Sequence, residues 1–453
     1  MSDAGPGGRP THDPLAAMRQ PSFVFYTVSR LFYAIAATML QTAMLWQVYE
    51  ISGSALKLGL LGLARLIPAL TFSMIGGAFA DSYNRRNIVM VAQVIPLVCG
   101  IVLAFSTVGG WVSLPLIYGL VVALGSGAAF EGPARASLLP SIVRPETFAN
   151  AVNVSSTVNS LAFVSGPAVG GALIAIFGIG ATYAVFAVFS VLALVTMTLV
   201  KYHHAAGQKG AMSLAAIKEG IGFVRSQQVL LGAMALDMFA VIFGGVKALL
   251  PIYASDILKV GPAGFGVLNG ALEAGAFLMS FVLLLRPPIE RTGRALILAV
   301  VAFGVGTIVF GLSRNFYLSI AVYMFIGMAD QVSVVMRQTT IQLATPDALR
   351  GRVSAVNQVF IQSSNQLNAL ESGIVASLTT ATFAVVSGGF GTLATVGAVR
   401  WRLPRLWEYR VPRVVATVVE VEAPVVPTAP DGGAAANGAS AKAAQVEEPL
   451  APG

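Results

Sequence analysis

Gly76-Gly77-Ala78-Phe79-Ala80-Asp81-Ser82-Tyr83-Asn84-Arg85-Arg86 lies between two long apolar stretches and decides how the chain is read. Its paired small residues let one helix end come close to a neighbour, an acid follows four residues after Gly77, and Arg85 and Arg86 close the turn. Positive charge at such a turn marks the cytoplasmic side of a membrane. The spacing Gly-x-x-x-Asp-x-x-x-Arg-Arg therefore reads as a latch on a helix pair. An ordinary positive-inside loop accounts for the arginines but not for the separation of Gly77 from Asp81.

Outward from this turn the composition is that of a membrane protein. Hydrophobic residues make up 56% of the chain and charged residues 11%, where a soluble domain carries about 25% charge. A helix needs about 20 apolar residues to cross a bilayer. Twelve such segments are predicted, beginning near Phe23, Ala55, Ile88, Val112, Ala151, Ala181, Val229, Gly264, Ala295, Phe316, Val353 and Thr380. The first is too long, and lacks the small-residue site, for a cleaved signal peptide. Cys99, the single cysteine, sits in an apolar run and reads as packing.

The net charge of +8 invites a nucleic-acid partner, but the placement of the cations argues against one. Of 28 Lys and Arg, Lys57, Lys259 and Arg314 fall on the external side, Arg30, Arg65 and Lys247 fall within helices, and the other 22 are cytoplasmic if both termini are inside. The predicted organisation is a cytoplasmic tail over 1–22, a six-helix bundle over 23–200, a cytoplasmic loop over 201–228, a second six-helix bundle over 229–400 and a largely disordered cytoplasmic tail over 401–453. Within the loop, Leu214, Ile217, Ile221 and Val224 recur at helical spacing opposite Lys218 and Arg225, which predicts a surface-lying amphipathic helix. The last segment is rich in Pro, Ala, Gly and acid and has little to bury.

The halves echo each other. Glu290-Arg291-Thr292-Gly293-Arg294 repeats the core of the first latch, and the stretches from Arg135 to Pro145 and Ala151-Val152-Asn153 pair with Arg337 to Pro346 and Ala355-Val356-Asn357. Together with the first turn, these features resemble the major facilitator superfamily of secondary transporters. The turn departs from that family at Ser82, usually basic, and at Asn84, usually Gly; Asn tolerates the left-handed conformation that Gly would supply. The resemblance implies an all-α membrane protein of two six-helix bundles, with a substrate site near the midplane between them.

Ionisable groups inside a bilayer are costly unless they face a partner or a wet cavity. Arg30, Arg65, Glu131, Asp237, Lys247, Glu273, Asp330 and Glu371 fall on predicted helices 1, 2, 4, 7, 7, 8, 10 and 11, and helices 3, 6, 9 and 12 carry none. The superfamily's arrangement, with helices 3, 6, 9 and 12 outside the cavity, matches this distribution. Arg30 and Glu131 lie near cytoplasmic ends, where snorkelling or interface pairing accounts for them. Arg65, Asp237 and Glu273 read as deeper. Asp237 and Lys247 lie about 15 Å apart along one helix, on different faces, so each needs a partner elsewhere. Gln358, Gln362 and Asn365 form one polar face of helix 11, suited to bonding neighbouring helices or to lining water; Gln41 and Gln47 admit the same two readings.

Gly166-Pro167-Ala168-Val169-Gly170-Gly171 resembles the superfamily's antiporter motif, associated with exporters. The Arg usual in helix 4 of its drug and proton antiporters is absent from Leu120-Val121-Val122-Ala123-Leu124. Gly62-Leu63-Ala64-Arg65-Leu66-Ile67-Pro68, Gly132-Pro133-Ala134-Arg135 and Leu349-Arg350-Gly351-Arg352 resemble the branch of siderophore exporters and secretion permeases. The resemblance implies a bacterial inner-membrane exporter of drug-like or siderophore-like molecules, working by alternating access and proton antiport. Two rivals stand beside it: a proton symporter importing an organic anion or zwitterion, and a membrane sensor or scaffold that moves nothing. An enzyme is not expected, because His12, His203 and His204 all lie in tails or loops and neither a triad nor a phosphate-cradling Gly-Lys-Ser is present. A monomer without cofactor or metal is expected.

Overall fold

Apolar runs punctuated by Gly, Pro and Asn fold into an almost wholly helical chain. The computed structural model describes residues 16–202, 214–287 and 289–411. The latch positions Gly77 and Asp81 lie on a described helix, but their side chains, the three histidines and the tail from 412 onward fall outside the described residues. The helices are α1 (Pro21–Ser52), α2 (Ala55–Ser82), α3 (Arg85–Val108), α4 (Leu114–Ile142), and α5 and α6, the two parts of Phe148–Thr198. Then come α7 (Leu214–Ser226), α8 (Gln228–Ile257, broken at Gly245), α9 (Gly261–Leu285), α10 (Thr292–Leu312), α11 (Phe316–Ala344), α12 (Arg350–Leu378), α13 (Ala381–Arg402) and α14 (Arg405–Glu408). Each predicted membrane helix begins within about three residues of its predicted start.

Among the described residues, nine helices are long and apolar enough to cross a membrane, with α5 and α6 counted as one. Gly178 (φ 82°, ψ 170°) breaks that 51-residue run. A side chain would strain this backbone, so Gly stands where the chain reverses. Outside the nine, α2 spans 28 residues and α12 spans 29, the latter kept polar by its Gln, Asn and Ser.

Asn84 corrects one expectation. It is not left-handed (φ −61°, ψ 111°) but caps α3, its side chain accepting from the backbone N–H of Arg86 (3.1 Å) and Asn87 (3.3 Å). Asn replaces Gly here because a helix N-terminus needs an acceptor for its free N–H groups.

The hydrophobic cores divide unequally. At the end bearing the α1–α2 connection, one core joins both halves, running from Met39, Met44 and Leu58 to Tyr253, Phe265 and Phe310. Backbones touch there: a Cβ on Gly171 would lie 2.6 Å from Gly266 Cα, and one on Gly373 would lie 2.8 Å from Gly59 Cα. Thr42 accepts from Asn269 Nδ2 at 3.0 Å, and Tyr49 bonds Asp256, both across the halves. At the α2–α3 end the cores are separate among the described residues, one around Phe23, Val89 and Leu138, others around Leu236, Leu296 and Met336 and around Leu230 and Val353.

The predicted amphipathic helix is α7. Val224 is buried against Leu230, Met234, Ile341 and Val353, while Lys218 and Arg225 are exposed. Glu219 also pairs with Arg352, so α7 is tied to the foot of α12. Past α13 the chain stays packed through Val411: Leu406 is buried and the Val411 N–H donates to the Glu290 carbonyl at 2.9 Å.

Candidate functional site

Apart from Arg65, the intramembrane charges fall into three groups. In the N-terminal half, Glu131 and Arg135 sit one turn apart on α4 and pair. The Arg135 guanidinium lies 5.2 Å from the Tyr33 ring and 5.8 Å from that of Tyr26, and on α1 Arg30 donates to Asn159 Oδ1 of α5 at 3.2 Å. Arg30, Glu131 and Arg135 line one cavity of about 510 Å³, together with Tyr26, Ser155 and Asn159.

The C-terminal half is built differently. Asp237 on α8 pairs with Arg337 on α11, and the two side chains are 8% and 4% exposed. Asp330 shares a cavity with Asp237, lined also by Phe303 and Ser333, of only about 10 Å³. That is room for about one water.

The third group surrounds the break in α8. Lys247 lies just past Gly245 and comes within 3.6 Å of Glu273 on α9, both side chains half-buried. Breaking the helix frees carbonyls that must be satisfied inside the protein. Asn368 of α12 does so, donating to the carbonyls of Ile242 (2.9 Å) and Gly245 (3.3 Å), and Ser372 Oγ adds a bond to Gly245 (3.2 Å). Ser372 also donates to Glu371 at 3.3 Å. Asp237 and Lys247 thus each find a partner on another helix.

The polar face of α12 is now resolved. Gln358, Gln362 and Asn365 are exposed, and among the described residues the one hydrogen bond their side chains make, Asn365 to the Ile361 carbonyl, stays within the helix. This face suits water, whereas Asn368 bonds another helix. Gln47 is buried structure, donating to Thr107 (2.8 Å) and accepting from Tyr183 (2.7 Å). Gln41 and Arg65 are half-buried, and neither has a hydrogen-bond or ion-pair partner among the described residues.

Among the described residues the two latches hold different partners. Arg85 donates to the Ser137 carbonyl (3.0 Å) and Ser141 Oγ (3.2 Å), and Arg86 to the carbonyls of Met197 and Thr198 at the end of α6. The second turn is held by the chain end: the Gly293 N–H donates to the Tyr409 carbonyl (3.4 Å), and Arg294 lies over the Trp407 ring at 5.2 Å. Arg291 is exposed. In the antiporter-like motif, Gly166 and Gly170 face Thr38 and Met39 of α1, while Gly171 and the Pro167 carbonyl meet Gly266 of α9.

Arg135 and Arg337 correct the charge layout. Counted from sequence among cytoplasmic residues, both are buried inside helices, because α4 and α11 continue past them to Ile142 and Ala344. The i, i+4 pair Glu131 and Arg135 was the available signal; nothing local pairs Arg337 with an acid 100 residues away.

Two helical halves with charged interiors, sharing among the described residues one core at the α1–α2 end, make this an integral membrane protein with the fold of the major facilitator transporters. It resembles the solved structures of a bacterial homologue of the human lysosomal transporter Spinster in an inward-facing and unoccupied conformation (TM-score 0.64, 15% identity, 89% of this chain and 97% of that one) and of the peptide transporter POT in complex with sulfate (0.67, 13%, 88% and 99%). Residues 12–424 match the transmembrane secretion effector family, and the chain belongs to it. Enterobactin exporter EntS of Shigella dysenteriae serotype 1 is 22% identical over 82% of this chain and 89% of its own length. Macrolide efflux protein A of Streptococcus pyogenes is 22% identical over 57% of this chain, an alignment spanning 65% of that relative.

Proposed function

We propose that the protein is a secondary transporter of the bacterial inner membrane that exports small organic molecules by alternating access. The observation that carries this reading is the unequal division of the core: one shared core at the α1–α2 end, separate cores at the α2–α3 end. Two halves joined at one end can rock to join at the other, which is what alternating access requires. The reading includes twelve crossings, obtained by adding α2 and α12 to the nine and counting α5 and α6 separately, with both termini in the cytoplasm. The joined end is then external, and the state is open to the cytoplasm. In the opposite state the turns at Asp81 to Arg86 and Glu290 to Arg294 would meet and latch. The relatives named for enterobactin export and macrolide efflux support outward transport of siderophore-like or drug-like cargo.

Proton antiport is the coupling we favour. Glu273 is better placed than Asp237 to exchange protons in this state, since it is 28% exposed and held by a single contact of 3.6 Å, whereas Asp237 is enclosed with Arg337. Exposed Gln358 and Gln362, half-buried Gln41, Arg65 and Glu371, and Asp330 would complete the pathway walls. The test uses everted membrane vesicles energised by respiration, with internal pH followed while siderophores, cationic drugs and organic acids are added singly. Proton efflux on adding one compound, lost in Glu273→Gln, is the expected result. Accumulation of labelled compound without proton efflux would remove the coupling, and no accumulation of any compound would remove export.

A further inference from the structure

We infer that the cavity between α1, α4 and α5 is a binding site for an oxyanion, a carboxylate or phosphate group. The inference deepens the export reading, because it assigns an acidic group to the cargo. The cavity volume of about 510 Å³ falls within the roughly 300–1,000 Å³ of small-molecule pockets. Its wall carries two guanidinium groups, Arg30 and Arg135, and one carboxylate, Glu131, leaving a cation in excess.

Its hydrogen-bonding inventory is just as unbalanced. Arg30 Nε, both Nη atoms of Arg135 and the Ser155 hydroxyl are buried without a hydrogen-bond partner. Arg135 is 5% exposed and Ser155 7%. Three of these atoms can only donate, because a guanidinium has no acceptor. Buried donors without acceptors are costly. Carried by residues that line one cavity, they favour an acceptor-rich, negatively charged group, and guanidinium groups suit the oxygens of a carboxylate or phosphate. The Tyr26 and Tyr33 rings hold the Arg135 guanidinium from the side, so its position does not depend on Glu131 alone. Glu131 competes with the ligand for Arg135 and sets how readily the anion is released.

The full-length chain, purified in a neutral maltoside detergent, is titrated with benzoate, citrate and inorganic phosphate, with benzamide as the uncharged control, and its thermal unfolding is followed. At least one anion should raise the midpoint saturably and benzamide should not. Arg30→Gln should weaken that binding by about tenfold, the order of one charge-assisted hydrogen bond, and Glu131→Gln should strengthen it, a change a merely structural role would not produce. No saturable effect of any anion, or the same affinity in wild type and both variants, overturns the inference. Nanodiscs of phosphatidylcholine with and without phosphatidylglycerol separate the sources: competition by phosphatidylglycerol, absent in Arg30→Gln, assigns the site to a lipid headgroup, and no competition assigns it to a soluble anion. In everted vesicles the two readings part. Saturable anion binding with no accumulation of any compound leaves the site standing and removes export. Accumulation of uncharged or cationic compounds without anion binding does the reverse.

Discussion

Arg135 and Arg337 stand at echoed positions in the two halves, yet they are satisfied in opposite ways. Arg337 reaches across to Asp237 on another helix beside a cavity of about 10 Å³, while Arg135 pairs along its own helix with Glu131 and borders one of about 510 Å³. The cause lies on the first helix of each half. Arg30 is the tenth residue of α1 and Asp237 the tenth of α8, so one half offers Arg337 an acid where the other offers Arg135 a second cation. A repeated backbone thus carries two different electrostatic designs, a closed ion pair in one half and a charged pocket in the other.

The largest test of this contrast removes each arginine in turn. Arg337→Gln leaves Asp237 buried without its counter-charge, at a cost of about 3–5 kcal/mol. Arg135→Gln should cost clearly less, because Glu131 borders a cavity roomy enough for water. Thermal unfolding of the two variants in one detergent measures the difference. The charge swap Asp237→Arg with Arg337→Asp should recover most of the loss, as removal of either partner alone cannot. Equal destabilisation by the two Gln variants would break the comparison.

A second contrast, between the joined and parted ends, is sharpened at Gly171. A Cβ there would lie 2.5 Å from the Pro262 carbonyl oxygen and 2.6 Å from Gly266 Cα, both backbone atoms of the other half. Gly171→Leu should therefore cost about 1–3 kcal/mol as an overpacked contact and push the halves apart where they now meet. With cysteines at Tyr49 and Asp256, which bond across the halves, cross-linking by a bifunctional maleimide that spans the space of the tyrosine ring should fall when Gly171→Leu is added, since the pair is too far apart for a direct disulfide. Gly222→Ala, where a Cβ meets open space, should leave it unchanged.

Most of the fold was legible because its signals are local. Apolar length placed the starts of the long helices, and the spacing of Leu214, Ile217, Ile221 and Val224 gave α7, but the short α14, in a stretch read as largely disordered, carried no such signal. Periodicity could not show where a helix continues past a charge: Arg135 and Arg337, next to Pro-rich or polar stretches, looked like loop residues although each helix encloses them. Partners were equally hidden. Lys247 needed Glu273 and Asp237 needed Arg337, but only tertiary packing decides which acid meets which base. The polar face of α12 shows the same limit, since Gln362 and Asn368 look alike in sequence and only the break at Gly245 makes the second a structural ligand of backbone carbonyls.

The smallest effect concerns how each half fastens its outer helix at the parted end. The N-terminal half uses Arg86 on the carbonyls that end α6, and the C-terminal half uses the segment after α13, where Trp407 lies 5.2 Å from both Arg294 and Arg400. Each cation over a half-buried ring contributes about 0.5–1 kcal/mol, so Trp407→Ala should cost about 1–2 kcal/mol through these two contacts. Leu406 remains buried against the foot of α8, near Gly232, so the segment should loosen without detaching. Faster tryptic cleavage at Arg405 and Arg410, with the unfolding midpoint little moved, is the expected result. An unchanged cleavage rate would mean that Leu406 and the Gly293 to Tyr409 backbone bond hold the clasp alone, leaving the two halves fastened by backbone carbonyls in both cases.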